Sequence, residues 1–259
     1  MTQAGPLPPT RRDRMRAATM EEITATARRL LVTQGPDAAS LRAIAREMGM
    51  TAPGLYRYYG SREDLLRHVI ATIFKELSGD IRQAIDAAGR AEAGGQDGRA
   101  TEAGRRRKLT EKLLAACREF RRWALGHREE FALLFGVPLP GLEEEQFDVA
   151  QQCALEFAAT FYGLFIELWN ATRFPVPAEA EIDETLLPQL EAFRRKLGTD
   201  APAGAILIFL RCWVLLYGAV SMEVFGHLGF AMDNPAAMFE LTLADLARLV
   251  DLEYPFSDA

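Results

Sequence analysis

The chain has 259 residues, a formal net charge of −6, 49% hydrophobic and 25% charged residues. That length has room for a small domain and a larger one, and the composition is too apolar for a disordered chain. The acidic balance excludes indiscriminate nucleic-acid binding. Cys117, Cys153 and Cys212 and the histidines His68, His127 and His227 lack metal-ligand spacing, and the Pro-rich amino terminus lacks the apolar segment of a secretory signal. The cysteines read as reduced core residues of a cytoplasmic protein.

Residues 1–16 hold Pro6, Pro8 and Pro9, then Arg11, Arg12, Arg14 and Arg16. They read as a disordered, solvated basic tail, with an arm reaching DNA as the alternative. The densest signal follows at Leu41–Leu66. Ser40 caps a helix over 41–48 whose Leu41, Ile44, Ala45 and Met48 share one face. Gly49 suits the left-handed stop, Thr51 caps the next helix, and Pro53 fits its first turn. That second helix is expected over 52–59. Gly60 stops it, and Ser61 with Asp64 caps a third helix.

Two short helices around a glycine turn make a helix-turn-helix, whose second helix enters the major groove. Ala52 and Gly54 keep its leading end slim, so the backbone can approach base edges. Arg57 can reach guanine through its planar guanidinium. Thr51, Tyr56 and Tyr58 offer hydroxyls to phosphates, and Arg62 sits at a helix N-terminus suited to phosphate. The plainer alternative is a helical hairpin with surface tyrosines. Charge supports the first reading: Met1–Ser78 carries a net +4 and the remainder −10.

The segment Met20–Leu66 resembles the DNA-binding domain of the TetR family of bacterial transcriptional regulators. The resemblance rests on Ser40, Leu41, Arg42, Ile44, Ala45, Gly49, Thr51, Leu55, Tyr56, Tyr58, Tyr59, Ser61, Arg62, Glu63 and Leu65 at the family's spacing. It implies three helices over 17–66, the first near Met20–Gln34 with Ile23, Ala27, Leu30 and Leu31 inward. It also implies that Arg42 and the Ala52–Tyr58 helix read bases, while Thr51, Tyr56, Tyr58 and Arg62 hold phosphates. Gly54 removes one base-reading side chain from that helix.

Residues 67–259 read as helices throughout, with no strand signal of any length. A helix from Arg62 to about Ala88 leads away from the head, and Gly89–Gly104 reads as a mobile connection. Helices are expected over 105–127, 128–135 and 143–172, with a Pro/Gly turn at 136–141 and a solvated acidic run at Glu143–Glu145. Pro175 and Pro177 break the third, and a polar amphipathic stretch runs to Gly198. The last two helices are expected at 202–228 and 235–252. Ala203–Met222 has about the length of a membrane span, but Arg211 at its centre and the missing basic flank favour a core or dimer helix. The fold class is therefore all-α, a helix-turn-helix domain followed by a helical bundle.

The bundle also resembles a subset of TetR-type C-terminal domains. The residues that carry this are Trp123–His127, Phe131–Gly136 and Trp213–His227, with Tyr217 where relatives often have His. It implies a ligand-sensing and dimerising domain, with the dimer interface on the helices at 202–228 and 235–252. An inter-helix pocket would draw on Phe120, Trp123, Phe157, Phe161, Phe165, Trp169, Trp213 and Tyr217; plain core packing is the alternative for each. Glu156, Glu167, Arg211 and Glu223 lie in apolar helices, where they could orient a polar ligand group or face solvent or a partner.

No phosphate loop, G-x-S-x-G or H-E-x-x-H stands in the chain, so catalytic and metal sites and cofactors are expected to be none. The expected function is a homodimeric repressor that binds a pseudo-palindromic double-stranded operator and is released by a small, largely hydrophobic effector. The alternatives are a dimeric DNA-binding protein without an effector and an all-α enzyme.

Overall fold

The computed structural model describes residues 10–91, 102–136, 148–252 and 254. Among these residues there are ten α-helices and no strand. They are α1 (Arg11–Gln34), α2 (Leu41–Glu47), α3 (Ala52–Leu55), α4 (Arg62–Ala91), α5 (Glu102–Gly126), α6 (Arg128–Phe135), α7 (Asp148–Thr172), α8 (Leu187–Leu197), α9 (Ala203–Val224) and α10 (Ala236–Leu249). The turn expected at 136–141, the acidic run at 143–145 and most of the 89–104 connection lie outside the described residues. The chain divides into two compact units, Met1–Phe74 with Glu129–Cys153, and Lys75–Arg128 with Ala154–Ala259.

In the first unit, α1 starts nine residues earlier than expected. The Asp13 amide donates to Thr10 Oγ1 at 3.2 Å, and the Thr10 amide donates to the Asp13 carboxylate at 3.0 Å. This reciprocal cap satisfies two amide donors at the helix start. It makes Arg11–Arg16 helical, correcting the expected tail; residues 1–9 lie outside the described residues. The capping signature Thr10-Arg11-Arg12-Asp13 outweighs the disorder suggested by the prolines before it.

Ile23, Ala27, Leu30 and Leu31 form the buried face of α1, and Leu41, Ile44 and Ala45 of α2 are buried with Leu55, Tyr59, Leu65, Leu66 and Val69. The unit also takes in α6. Phe131 is fully buried, Phe135 meets Phe74 edge to face at 5.7 Å, and Glu130 pairs with Arg28 of α1 at 3.3 Å. The compact unit thus holds α6 beside the residues of the expected 17–66 domain.

In the second unit, Phe120 of α5, Phe157 and Phe161 of α7 and Trp213 of α9 pack ring against ring, with centroids 5.5–6.1 Å apart. Gly198, with φ of 63°, ends α8 in the left-handed conformation. At Gly204 the α9 backbone comes so close to Pro177 that a Cβ would lie 2.1 Å from its carbonyl oxygen. Helix α9 ends at Val224, four residues before the expected Leu228, where Gly226 takes φ of 70°.

Among the described residues α9 is the one helix long and apolar enough to cross a membrane, at 22 residues and a mean hydropathy of 2.0. Here it packs against α5, α8 and α10, with Ala203–Ile206, Ile208 and Phe209 buried.

Candidate nucleic-acid interface and bundle cavity

The recognition turn is built by caps at both of its helices. Ser40 Oγ accepts from the Ala43 amide at 3.2 Å, and Thr51 Oγ1 accepts from the Gly54 amide at 3.3 Å. Gly49 between them has φ of 65°, where a side chain is strained. Regular α-helix spans only Ala52–Leu55, shorter than the expected 52–59. The chain then tightens, with the Arg57 and Tyr58 amides donating to the Gly54 and Leu55 carbonyls three residues back.

Behind this turn, Tyr59 is buried and its hydroxyl lies 3.1 Å from Thr24 Oγ1. Thr24 gives its own proton to the Met20 carbonyl, so Tyr59 is the donor. Burial pushes the Tyr59 hydroxyl above its ordinary pKa, which keeps it protonated.

The residues expected to meet DNA lie on α2, α3 and the turn that follows, and at the start of α4. Arg42, Thr51, Pro53, Tyr56 and Arg57 are exposed, and Ala52, Gly54 and Tyr58 are half-buried. A Cβ on Gly54 would lie 3.1 Å from Thr51 Oγ1, so this position is slim because the Thr51 cap needs the space. Arg62, expected as a phosphate seat, is engaged by main-chain carbonyls. Its Nε donates to the Ala39 carbonyl at 3.1 Å and an Nη to Pro36 at 2.6 Å. It ties the start of α4 to the connection before α2.

Arg16 is a neighbour that sequence reasoning missed. Its guanidinium stands 5.2 Å from the Tyr58 ring centre, and an Nη donates to the Arg57 carbonyl at 3.3 Å. The Thr-x-x-Asp cap upstream was the available signal, since it makes Arg16 helical and directs it.

The second unit holds a cavity of about 40 Å³ between α5, α7, α9 and α10. Of the aromatics proposed for a pocket, Phe161, Phe165 and Trp213 line it, joined by Leu113, Cys117, Phe209, Cys212, Leu216 and Leu243. Phe120, Trp123 and Phe157 are instead buried core, Trp123 stacking on His127 at 4.8 Å. Tyr217 stacks on Trp213 at 5.9 Å, and Trp169 lies under the Arg173 guanidinium at 4.1 Å; neither lines the cavity. Among the described residues no charged group lines it either. Glu156, Glu167 and Arg211 are exposed, and Glu223 is bound to Arg121. Burial pushes the thiols of Cys117 and Cys212 up to about 12, so both are protonated.

A capped helix-turn-helix joined to an all-α bundle defines the class of a DNA-binding regulator. Residues 23–69 match the family of bacterial regulatory proteins of the tetR type, and residues 113–246 match the tetracyclin repressor-like C-terminal domain. The chain belongs to the TetR family, and it is a DNA-binding transcriptional regulator rather than an enzyme. It is similar to the HTH-type transcriptional regulators Rv1816 of Mycobacterium tuberculosis and Mb1846 of Mycobacterium bovis. Each is 26% identical over 225 residues, covering 85% of this chain and 86% of the relative. The crystal structure of the regulatory protein SCO4313 is 27% identical with a TM-score of 0.67, covering 92% of this chain and 98% of that one.

Proposed function

We propose that the protein is a homodimeric repressor that binds a pseudo-palindromic operator and is released by a small, uncharged, largely hydrophobic effector. Arg42 and the Ala52–Tyr58 turn read bases, with Thr51, Tyr56 and Tyr58 on phosphates. Arg62 is left out of the phosphate set because main-chain carbonyls engage its guanidinium. As a bacterial transcriptional regulator it works in the cytoplasm.

The observation that carries the dimer is the outer face of the last two long helices. Val214, Met222 and Phe225 of the α9 segment and Met238 and Leu241 of α10 are exposed, Val214 at 66%. Gly218, between Val214 and Met222 on the same stripe, has open space where a Cβ would stand, so a second helix can approach closely there. An exposed apolar patch of this kind supports an interface between copies. The uncharged lining of the cavity supports an effector without a formal charge. The effector would act by favouring a conformation whose two heads no longer match the operator spacing.

The smallness of the cavity favours a second reading, in which the bundle serves dimerisation alone. Ligand sites ordinarily measure about 300–1,000 Å³. The test is sedentation-equilibrium analysis together with fluorescence anisotropy on duplexes that the protein selects from a randomised pool. The anisotropy is repeated with a panel of uncharged hydrophobic compounds. A dimer released from a palindromic duplex by one of them supports the first reading. Release by none, with dimer and duplex binding intact, supports the second. A monomer that selects no duplex overturns both.

A further inference from the structure

Four arginines stand at the start of α1, outside the two helices of the helix-turn-helix. Arg11, Arg12, Arg14 and Arg16 are all exposed. Arg16 reaches across to the recognition turn, over the Tyr58 ring and onto the Arg57 carbonyl. That contact fixes which way the helix faces. At about 100° per residue, Arg12 stands on the same side as Arg16, four residues or about 6 Å nearer the amino terminus, whereas Arg14 points to the opposite side. The Asp13 carboxylate is held by the Thr10 amide and hydroxyl, and no ion pair engages Arg12 among the described residues.

We propose that the first turns of α1 are a DNA-binding extension of the head, in which Arg12 takes a backbone phosphate flanking the groove that the recognition turn enters. Arg16 is the positioning residue. Its contact with the Tyr58 ring and its bond to Arg57 hold the extension and the recognition turn as one piece. A phosphate is the partner rather than a base. Arg12 stands on a helix beside the inserted turn rather than on it, and a long cationic side chain there meets the strand backbone first. The proposal rests on the DNA-binding reading of the head.

The test is the salt dependence of binding to a duplex that the wild-type protein selects from a randomised pool, with a scrambled duplex beside it. Each phosphate contact contributes about 0.9 to the slope of log affinity against log salt. Arg12→Ala is expected to make that slope shallower by about 0.9 per protomer. It should weaken both duplexes by the same factor and leave their ratio unchanged. Arg14→Ala makes the same charge change on the far side and is expected to leave the slope as it was. Arg16→Ala is expected to lower the ratio between selected and scrambled duplex. Arg16→Lys, which keeps the charge and loses the guanidinium that spans the Tyr58 ring and the Arg57 carbonyl, should not restore it.

Equal slopes for wild type and Arg12→Ala overturn the proposal, as do equal slope losses in Arg12→Ala and Arg14→Ala. Loss of duplex preference in Arg57→Ala in the same series keeps the DNA-binding reading standing when the extension fails. A wild-type protein that selects no duplex overturns both.

Discussion

Arg121 of α5 and Glu223 of α9 meet side by side, Nε and Nη donating to the two carboxylate oxygens at 2.6 and 2.5 Å. Glu223 is nearly buried, its side chain 8% exposed, so the pair links the two helices within the second unit rather than decorating its surface. Glu223→Ala leaves the Arg121 guanidinium without its carboxylate and is expected to lower stability by about 2 kcal/mol. Urea unfolding of Glu223→Ala, Arg121→Ala and the double variant measures this, and the double variant should cost less than the two singles combined.

Phe120 is fully buried and touches Phe157, Phe161 and Trp213. Phe120→Ala empties the middle of that cluster and should cost about 3–5 kcal/mol. The midpoint of urea unfolding reads the loss, and the fluorescence of Trp213 should shift to longer wavelength as water reaches it.

Gly49 has φ of 65° and open space around the position of a Cβ. The expected cost of Gly49→Ala is therefore backbone strain alone, about 1–2 kcal/mol. Thermal unfolding checks it. Gly54→Ala differs, because its Cβ presses on Thr51 Oγ1 and disturbs the cap of the recognition turn. Its effect should appear mainly in DNA affinity, measured by anisotropy.

The Arg118 guanidinium beside Glu240 holds that carboxyl below its ordinary value of 4.5, and the Tyr254 hydroxyl adds to the effect. A depressed carboxyl stabilises the fold above its ordinary value, and the contribution is lost as pH falls through the lowered one. Both side chains are nearly half exposed, so solvent screening keeps the effect small. Below pH 4.5, Glu240→Gln should lose less stability than wild type; at pH 7 the variant should be slightly the weaker. Thermal melts between pH 3 and 7 decide it.

With their thiols pushed up to about 12, Cys117 and Cys212 should react slowly with a thiol reagent at pH 8. Reaction should become rapid once urea unfolds the chain, which a timed absorbance assay records.

Much of the head was legible in the sequence because its signals are local. Ser40, Gly49, Thr51 and Pro53 each dictate a backbone state within three residues, and the structure has the expected caps and turn. The main-chain bonds of Arg62 were not legible because its partners, Pro36 and Ala39, lie more than twenty residues away in the chain. Periodicity gave the bundle helices and their inward residues. It could not separate Phe161, which borders a cavity, from Phe157 four residues earlier, which does not. That difference is set by how α5 and α10 approach from elsewhere in the chain. The helical start of α1 was written in Thr10 and Asp13, but composition spoke louder than the cap.

The cavity between α5, α7, α9 and α10 has a kinetic consequence. At about 40 Å³ it admits no compound of several rings until its walls move apart. Association of any such compound must wait for that opening, so its observed rate should rise with concentration and then level off. The plateau would be the frequency at which the aromatic walls part. Enlarging the space in advance, as Phe165→Ala would, should raise the plateau and tighten binding together, because the open form would already be populated.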